Sequence, residues 1–388
     1  MSAPAQPEGD PVTVNFRGQP VTFKFAGQLT PGANRGLSAG EIERAHLLAD
    51  RIAKLRRPSA SGVEKGANNW AGSLAADWHP FFDPAARPFE HLRLFCQPFT
   101  GYDPIENVAQ GLPPKSIPPD IDALLSRHVE VSIALMELVL DQRRLPERWR
   151  VQMPMLFGEY GPVCDGVIAN YDAWSLQKQI TGLYASGITA RLDDLVSRNG
   201  RVTVVDIGSG FGGLGYQLAR AFPPGRFRLV ALDLPDSLLF ATVYLATLWA
   251  DRPTYIATPE GYLSTATWQV TEKLPDDFAA LFAPNYLAER VLNDLRPVDL
   301  ITNFRSMQEM SDEQVAYYGV LARVSLGEEG LLYEQNDMTR SVDRDVKAIL
   351  AKIMPHGGVV EETVPDHRPM GQASVWSNRP VELIRPTS

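Results

Sequence analysis

The sequence has 388 residues, enough for more than one domain. Its 37 basic and 46 acidic residues give a net charge of −9, which argues against binding to nucleic-acid phosphates or anionic membranes. The two cysteines, Cys96 and Cys164, make no disulfide framework or zinc motif, and no apolar run is long enough to span a membrane. The first residues lack a signal-peptide pattern, so we expect a soluble cytoplasmic protein with no nucleic-acid or membrane partner.

The first 190 residues contain patterns for a hairpin and three helices, separated by irregular chain. Alternating residues over 12–16 and 21–25 predict a β-hairpin, and Ser38 with Glu41 has the spacing of a capping box, which predicts a helix to about Leu55. Nine of the 31 prolines fall within residues 79–120, so we expect irregular chain there. The remaining predictions are a long helix over 120–142, in a core or a dimer seam, a loop over 157–166 and a helix over 171–187.

From Arg201 the pattern changes to alternating strands and helices. This alternation predicts an α/β fold, a doubly wound, Rossmann-like sheet with parallel strands. We expect an irregular stretch of about 30 residues after Ala250, since no periodicity is evident there. Predicted strands cover residues 202–206, 228–233, 278–283, 298–303 and 330–334, predicted helices begin near 214, 237, 311 and 342, and residues 359–360 with 373–376 predict a closing hairpin.

A glycine-rich loop follows the first of these strands. Such a loop lets a ligand approach the backbone closely, and it suits either a dinucleotide or S-adenosylmethionine. An acidic residue on its strand favours the cationic S-adenosylmethionine over a pyrophosphate, and an acid closing the second strand is placed to accept ribose hydroxyls. Glycines that only pack the turn are the third interpretation. The predicted cofactor residues are Asp206, Gly208, Ser209, Gly210, Phe211, Gly212, Asp233 and Leu234.

Several segments resemble one family. Residues 206–214 (DIGSGFGGL), 233–235 (DLP), 303–311 (NFRSMQEMS) and 333–336 (YEQN) resemble the motifs of the sugar O-methyltransferase family, and residues 158–162 (GEYGP) resemble its upstream segment. The resemblance spans about residues 157–340 and implies a class I methyltransferase that uses S-adenosylmethionine. Phe304 and Arg305 depart from the Thr and His expected there, so a sugar acceptor is implied less strongly than methyl transfer.

Ligands of doubly wound folds bind beyond the carboxyl ends of the strands. Residues that follow the fourth and fifth strands are therefore candidates for chemistry. Glu309 is the first candidate for a general base, with a helix-start charge as its structural alternative. Asn303 is predicted to bind cofactor, and Ser306, Asn336 and the loop residue His356 are further catalytic candidates. We predict no metal, although Glu309, Glu334 and Asp337 are oxygen ligands that suit Mg²⁺.

We expect residues 1–150 to form a lid, an acceptor pocket or a dimer contact. Residues 151–194 are predicted to be a helical segment that connects this region to the cofactor domain, which comprises residues 195–388. The function predicted is S-adenosylmethionine-dependent O-methylation of a small polar molecule, such as a sugar or glycosylated natural product, by a possible homodimer. The alternatives are N- or C-methylation at the same cofactor site, a partner subunit that kept the fold without catalysis, and a dinucleotide oxidoreductase.

Overall fold

A computed structural model describes residues 9–29, 34–57, 78–96, 129–336, 345–360 and 372–380. The chain divides into two compact units, residues 1–42 with 88–181, and residues 43–87 with 182–388. The α-helices are α1 (Ala39–Ala53), α2 (His79–Phe82), α3 (Leu92–Phe95), α4 (Val129–Arg144), α5 (Tyr171–Ala185), α6 (Ile188–Asn199), α7 (Gly213–Arg220), α8 (Pro235–Leu248), α9 (Ala288–Leu295), α10 (Asp312–Ser325) and α11 (Val346–Ala351). The strands are β1 (Asp10–Phe16), β2 (Gln19–Leu29), β3 (Gly161–Cys164), β4 (Val167–Ile168), β5 (Val202–Ile207), β6 (Phe227–Asp233), β7 (Thr254–Thr258), β8 (Gly261–Ser264), β9 (Val270–Thr271), β10 (Ala280–Pro284), β11 (Val298–Phe304), β12 (Leu326–Asn336), β13 (His356–Val359) and β14 (Gln372–Ser377).

The first unit contains a four-stranded sheet in the order β1-β2-β3-β4. The predicted hairpin is confirmed, and its two-residue turn places Arg17 and Gly18 at φ angles of 54° and 82°, as a type I′ turn requires. The predicted loop over 157–166 is wrong, because Asp165 and Gly166 form a second turn with positive φ angles that pairs β3 with β4. An Asp-Gly pair is a strong hairpin signal in sequence.

Helix predictions for this part of the chain hold with shifted ends. The capping box forms as expected, since the backbone N–H of Ser38 donates to Glu41 at 2.8 Å and that of Glu41 donates to the Ser38 hydroxyl at 3.3 Å. The described part of the predicted long helix is α4. Its residues 134–139, more than one full turn, are buried within the chain, which fits the core alternative better than an exposed dimer contact. Short helical turns occur within the described part of the proline-rich segment, and residues 97–128 lie outside the described residues.

The second unit is built on a mixed sheet. Its strands have the order β13-β14-β12-β11-β5-β6-β10-β7-β8-β9. The five strands β5, β6, β10, β11 and β12 run parallel with their neighbours in this set, which confirms the predicted doubly wound α/β class. The predicted irregular stretch after residue 250 is wrong, because it forms the antiparallel edge of β7, β8 and β9.

The closing hairpin is confirmed and has a particular placement. β14 lies between β12 and β13 and is antiparallel to both. With β5, β6, β10, β11 and β12 counted as strands one to five, β13 as the sixth, and β7 as an additional parallel strand beyond β10, the sheet reads 3-2-1-4-5, then the antiparallel β14, then the sixth. A dinucleotide-binding sheet would keep its sixth strand beside the fifth and parallel to it.

The units divide the chain differently from the predicted boundaries near residues 150 and 195. Residues 43–87 join the second unit because the rings of Trp78 and Phe81 pack on Phe240 of α8, each at a centroid distance of 5.1 Å. The buried Arg87 bridges the same segment back to Asp50 at 2.6 Å. Within the described residues, no helix is both long and apolar enough to cross a membrane.

Candidate functional site

The glycine loop links the end of β5 to the start of α7. Gly208, Gly210 and Gly212 have φ angles of 73°, 56° and 82°, which side chains rarely tolerate. Space is also limiting, because a Cβ atom on Gly208 would lie 2.2 Å from the Ser306 hydroxyl oxygen and one on Gly212 would lie 2.7 Å from Leu245. The glycines therefore let the loop turn tightly against the neighbouring strand end and α8.

Asp206 is buried on β5, two residues before this loop. One of its carboxylate oxygens accepts a hydrogen bond of 2.8 Å from the hydroxyl of Thr302 on β11. Burial raises the pKa of Asp206 to about 7, and the Thr302 hydrogen bond opposes that shift. The carboxylate is thus a buried anion short of partners, which favours a cationic ligand.

Asp233 closes β6, the neighbouring strand. Its two carboxylate oxygens accept hydrogen bonds from the backbone N–H groups of Gly210 at 2.8 Å and Leu234 at 2.7 Å. Withdrawal from solvent raises its pKa to about 7, and the negative charge of Asp206 adds to that increase. Asp233 therefore holds the glycine loop in place, and with the side chain of Ser237 as a third hydrogen-bond partner its carboxylate keeps acceptor capacity for one further donor.

The two side chains of the loop differ in role. Phe211 is buried and packs its ring edge-on against Tyr244 at 5.4 Å, so it anchors the loop to α8. Ser209 is 8% exposed, and its hydroxyl makes no hydrogen bond within the part of the chain that the structure describes. A buried hydroxyl without a partner is costly. It fits a ligand lying against the loop.

The end of β11 is tied to the end of β5. The side-chain amide of the buried Asn303 donates to the carbonyl oxygen of Ile207 at 2.9 Å and to the Ser306 hydroxyl, while its oxygen accepts from the N–H of Met307 at 3.1 Å. Ser306 in turn donates to Ile207 at 3.2 Å. Through these hydrogen bonds Asn303 and Ser306 shape the loop, and their predicted cofactor-binding and catalytic roles stay predictions.

Asn336 ends β12 and takes part in the same framework. It accepts a hydrogen bond of 3.1 Å from the backbone N–H of Gln308 and donates one of 2.7 Å to Glu334. Asn336 is 2% exposed and ties the end of β12 to the turn after β11, and its predicted catalytic role stays a prediction. Arg305, between these strand ends, has a left-handed backbone with a φ angle of 63°.

Glu309 lies in the short 3₁₀ turn (Met307–Glu309) that follows β11, on the edge of the sheet where Asp206 and Asp233 also lie. It is half-buried, and its backbone N–H donates to Ser306 at 3.1 Å. A capping box of Ser311 with Gln314 follows directly, at the start of the helix predicted to begin near residue 311. Glu309 keeps both interpretations, a base for an acceptor and a charge near the start of α10.

The prediction for His356 is wrong. This residue is exposed at the first position of β13, where it pairs with Ser377 of β14, and Ser377 pairs with Leu331 of β12. β12 continues for five residues from Leu331 to its carboxyl end at Asn336, roughly 16 Å further along the strand. His356 therefore lies toward the opposite edge of the sheet, and the two strands β14 and β12 separate its strand from β11.

The magnesium alternative has little structural basis among the described residues. No group of three His, Cys, Asp or Glu side chains there could hold a metal ion. Glu334 is buried and accepts a hydrogen bond from Asn336, and burial raises its pKa. Asp337 lies outside the described residues.

The sequence missed several residues of this region. Thr302 could have been found from register, because residue pairs of β11 and β5 place it opposite Asp206. Asn285 and Tyr286 follow β10, whose exact end was not predicted, and Asn285 is buried there. Arg56 and Arg57 contact Asp236 and Tyr286, which follow the ends of β6 and β10, and they give no signal in sequence because only tertiary packing brings them there.

Comparison with known proteins adds general likeness only. No protein-family model and no curated protein matches the sequence. Three similar solved structures are monomeric WbdD (14% identity over 50% of this chain and 41% of that one, TM-score 0.32), cofactor-bound Rv0187 from MTB (14%, 69% and 100%, TM-score 0.33) and a TehB-like SAM-dependent methyltransferase from Corynebacterium glutamicum (12%, 50% and 98%, TM-score 0.30). The match thus spans about two fifths of the WbdD chain.

At these low scores the fold is assigned from the chain's own strand order. An antiparallel strand between the fifth and sixth parallel strands, together with a glycine loop between two strand-end carboxylates, defines a class I methyltransferase fold of the Rossmann-like α/β type. Membership of the sugar O-methyltransferase family stays a prediction.

Proposed function

We propose that this protein is a methyltransferase that uses S-adenosylmethionine. The observation that carries the proposal is the pair of carboxylates, Asp206 and Asp233, at the ends of neighbouring strands on either side of the glycine loop. A buried anion suits the positively charged methionine part of the cofactor, and a strand-end acid suits the two hydroxyls of its ribose. The unpartnered hydroxyl of Ser209 is a further group that the cofactor would satisfy.

A dinucleotide fits this site less well. The pyrophosphate of a dinucleotide would lie on the loop and on the first turn of α7. There it would meet the buried carboxylate of Asp206 at close range, with Asp233 bonded to the same loop. Asp233 would suit the ribose of either ligand, but the ionised carboxylate of Asp206 facing a doubly charged pyrophosphate is unfavourable in a site withdrawn from water.

Calorimetry with S-adenosylmethionine and with S-adenosylhomocysteine tests the proposal. We expect both to bind, and we expect D206A and G210V to abolish binding. D299N is the matched control, since Asp299 is a strand aspartate of β11 that accepts a hydrogen bond of 2.7 Å from Thr203 near the opposite edge of the sheet. Unchanged binding in D206A and G210V, or no binding by the unmodified protein, would refute the assignment.

The proposed reaction is methylation of a hydroxyl on a small polar acceptor. The bound cofactor supplies an electrophilic methyl group on a sulfonium. The protein's part is largely alignment, for which the network of Asn303, Ser306 and Asn336 fixes the strand ends. Glu309 takes up the hydroxyl proton as the new carbon–oxygen bond forms and the carbon–sulfur bond breaks.

The resemblance over residues 157–340 supports a sugar or a glycosylated natural product as the acceptor. Incubation with methyl-labelled S-adenosylmethionine and a panel of monosaccharides, glycosides and amines tests this choice. We expect label in an ether-linked methyl group. Label found only on nitrogen or carbon would favour the alternative reaction, and binding without any transfer would favour a non-catalytic subunit.

A further inference from the structure

A three-residue segment after α1 contacts two loops of the cofactor domain. Leu55, Arg56 and Arg57 follow the helix and belong to the same compact unit as the large sheet. The guanidinium of Arg56 lies 2.8 Å from a carboxylate oxygen of Asp236 and 4.2 Å from the centre of the Phe82 ring. Arg56, whose side chain is 39% exposed, thus contacts both an anion and an aromatic face.

The adjacent Arg57 contacts a second site, the short turn that follows β10. The guanidinium of Arg57 stacks over the ring of Tyr286 at 3.6 Å from its centre. The hydroxyl of Tyr286 donates a hydrogen bond of 2.9 Å to the carbonyl oxygen of Leu55. The tyrosine is therefore bound at its ring face and at its hydroxyl by neighbouring residues of one segment.

Both contacted residues lie beside strand ends that face the cofactor site. Asp236 is in the first turn of α8, three residues after Asp233, and Tyr286 directly follows Asn285 beyond β10. The strands β6 and β10 are parallel neighbours, so these two loops flank one stretch of the sheet edge. A cofactor whose ribose meets Asp233 would therefore have its adenosine part beside this stretch.

We propose that Arg56 and Arg57 are positioning residues that fix the adenosine side of the cofactor site. This inference rests on the proposed function. The start of α8 and the turn after β10 would then be held in place before the ligand arrives, so less ordering would be required on binding. Neither arginine takes part in the reaction; each acts through the loop that it holds.

The test measures affinity for two ligands that share adenosine, S-adenosylhomocysteine and methylthioadenosine. We expect R56A and R57A each to weaken both ligands by roughly fivefold, the range of a well-fixed exposed pair. R56K, which keeps the charge, restores most of the affinity, and the effects of R56A and D236N combine to less than their product. The matched controls are R198A, which removes the exposed pair with Asp194 at 2.8 Å, and R252A, which removes a cation–π contact of 5.5 Å with Trp249.

The outcomes separate this inference from the proposal on which it rests. If the unmodified protein binds neither ligand, the cofactor assignment fails and the inference falls with it. If the unmodified protein binds both and R56A and R57A bind equally well, the inference alone is overturned. It is also overturned if affinity falls only in step with melting temperature and R56K does not restore it, because that is the behaviour of a purely structural contact.

Discussion

The hydroxyl of Thr302 donates a hydrogen bond of 2.8 Å to the carboxylate of Asp206 across two parallel strands. Both residues are buried, so the bond forms where water contributes little. Burial favours the protonated acid, whereas this bond favours the carboxylate. The balance leaves the group ready to ionise when a cation arrives.

Cofactor affinity is therefore expected to depend on pH. The pKa values of Asp206 and Asp233 are raised from 3.8, the ordinary value for an aspartate, to about 7. Between these two values the carboxyl groups are protonated in the folded protein and ionised in the unfolded chain. Their contribution to the stability of the ligand-free protein is fully present below about pH 4 and is lost as the pH rises through about 7. S-adenosylmethionine requires the ionised form, so its affinity should rise from about pH 5 to about pH 7.5, as calorimetry can measure. A flat profile, unchanged in D206N, would contradict the prediction.

Replacing Thr302 by Val tests the hydrogen bond by itself. The substitution keeps the side-chain shape but removes the donor, so the pKa of Asp206 should rise further. A hydrogen bond to a charged group contributes about 1.5–3 kcal/mol, which corresponds to a shift of about one to two pH units in the affinity profile. T242V is the control, since the buried Thr242 hydroxyl donates at 2.7 Å to Leu238 within α8. An equal shift in both variants would show that Thr302 has no specific effect.

Gly208 offers a sharp test of the loop. In G208A the new methyl group meets the Ser306 side chain at 2.2 Å while the backbone is kept at a φ angle of 73°. The backbone costs about 1–2 kcal/mol and the collision adds about 1–3 kcal/mol. G225A keeps the backbone cost at a φ angle of 79° but meets no atom within 4 Å. Urea unfolding should show a larger loss in G208A, with loss of S-adenosylhomocysteine binding in that variant only.

The buried strands of this fold and the acids near their ends can be predicted from the sequence, whereas the roles of polar residues beyond them cannot. The strands β5, β6 and β11 were evident because a buried parallel strand is a continuous apolar run. The residues that close each strand, Asp206 and Asp233, could then be placed by topology alone. Chemical roles at strand ends are harder to predict. An asparagine side chain such as that of Asn303 or Asn336 can bind a ligand, but it can equally form hydrogen bonds to its own neighbouring loops, as both do here.

Contacts between distant segments account for most of the failures. The segment of residues 43–87 joins the large sheet through Trp78, Phe81 and Arg56, and aromatic or basic residues in an irregular stretch do not indicate their partners. The misplacement of His356 has a different cause. β13 runs in the same direction as β12, so its first residue lies at the edge of the sheet opposite the site. That direction is set by the pairing with β14 and cannot be read from the sequence.

The assignment of Glu309 as base predicts a specific kinetic result. E309Q keeps the shape and the hydrogen-bonding capacity but cannot take up a proton, so kcat with the acceptor should fall by about 10²-fold or more. The KM for S-adenosylmethionine should stay within about twofold, because Glu309 does not hold the cofactor. H356A is the control and should leave both constants unchanged, since His356 lies toward the other edge of the sheet. Near-normal kcat in a folded E309Q would leave Glu309 as a helix-start charge.

A buried ion cluster in the first unit should dominate that unit's stability. The fully buried Arg93 donates to Glu159 at 2.8 Å and pairs with Asp172, while burial raises the pKa of Glu159. R93M leaves two buried carboxyl groups without their cation, and urea unfolding should show a loss of about 3–5 kcal/mol. R35M removes the exposed pair with Glu41 and should cost about 0–1 kcal/mol. Adding E159Q and D172N to R93M removes the uncompensated charge, so stability should partly return; a triple variant no more stable than R93M would assign the loss to packing around the arginine instead.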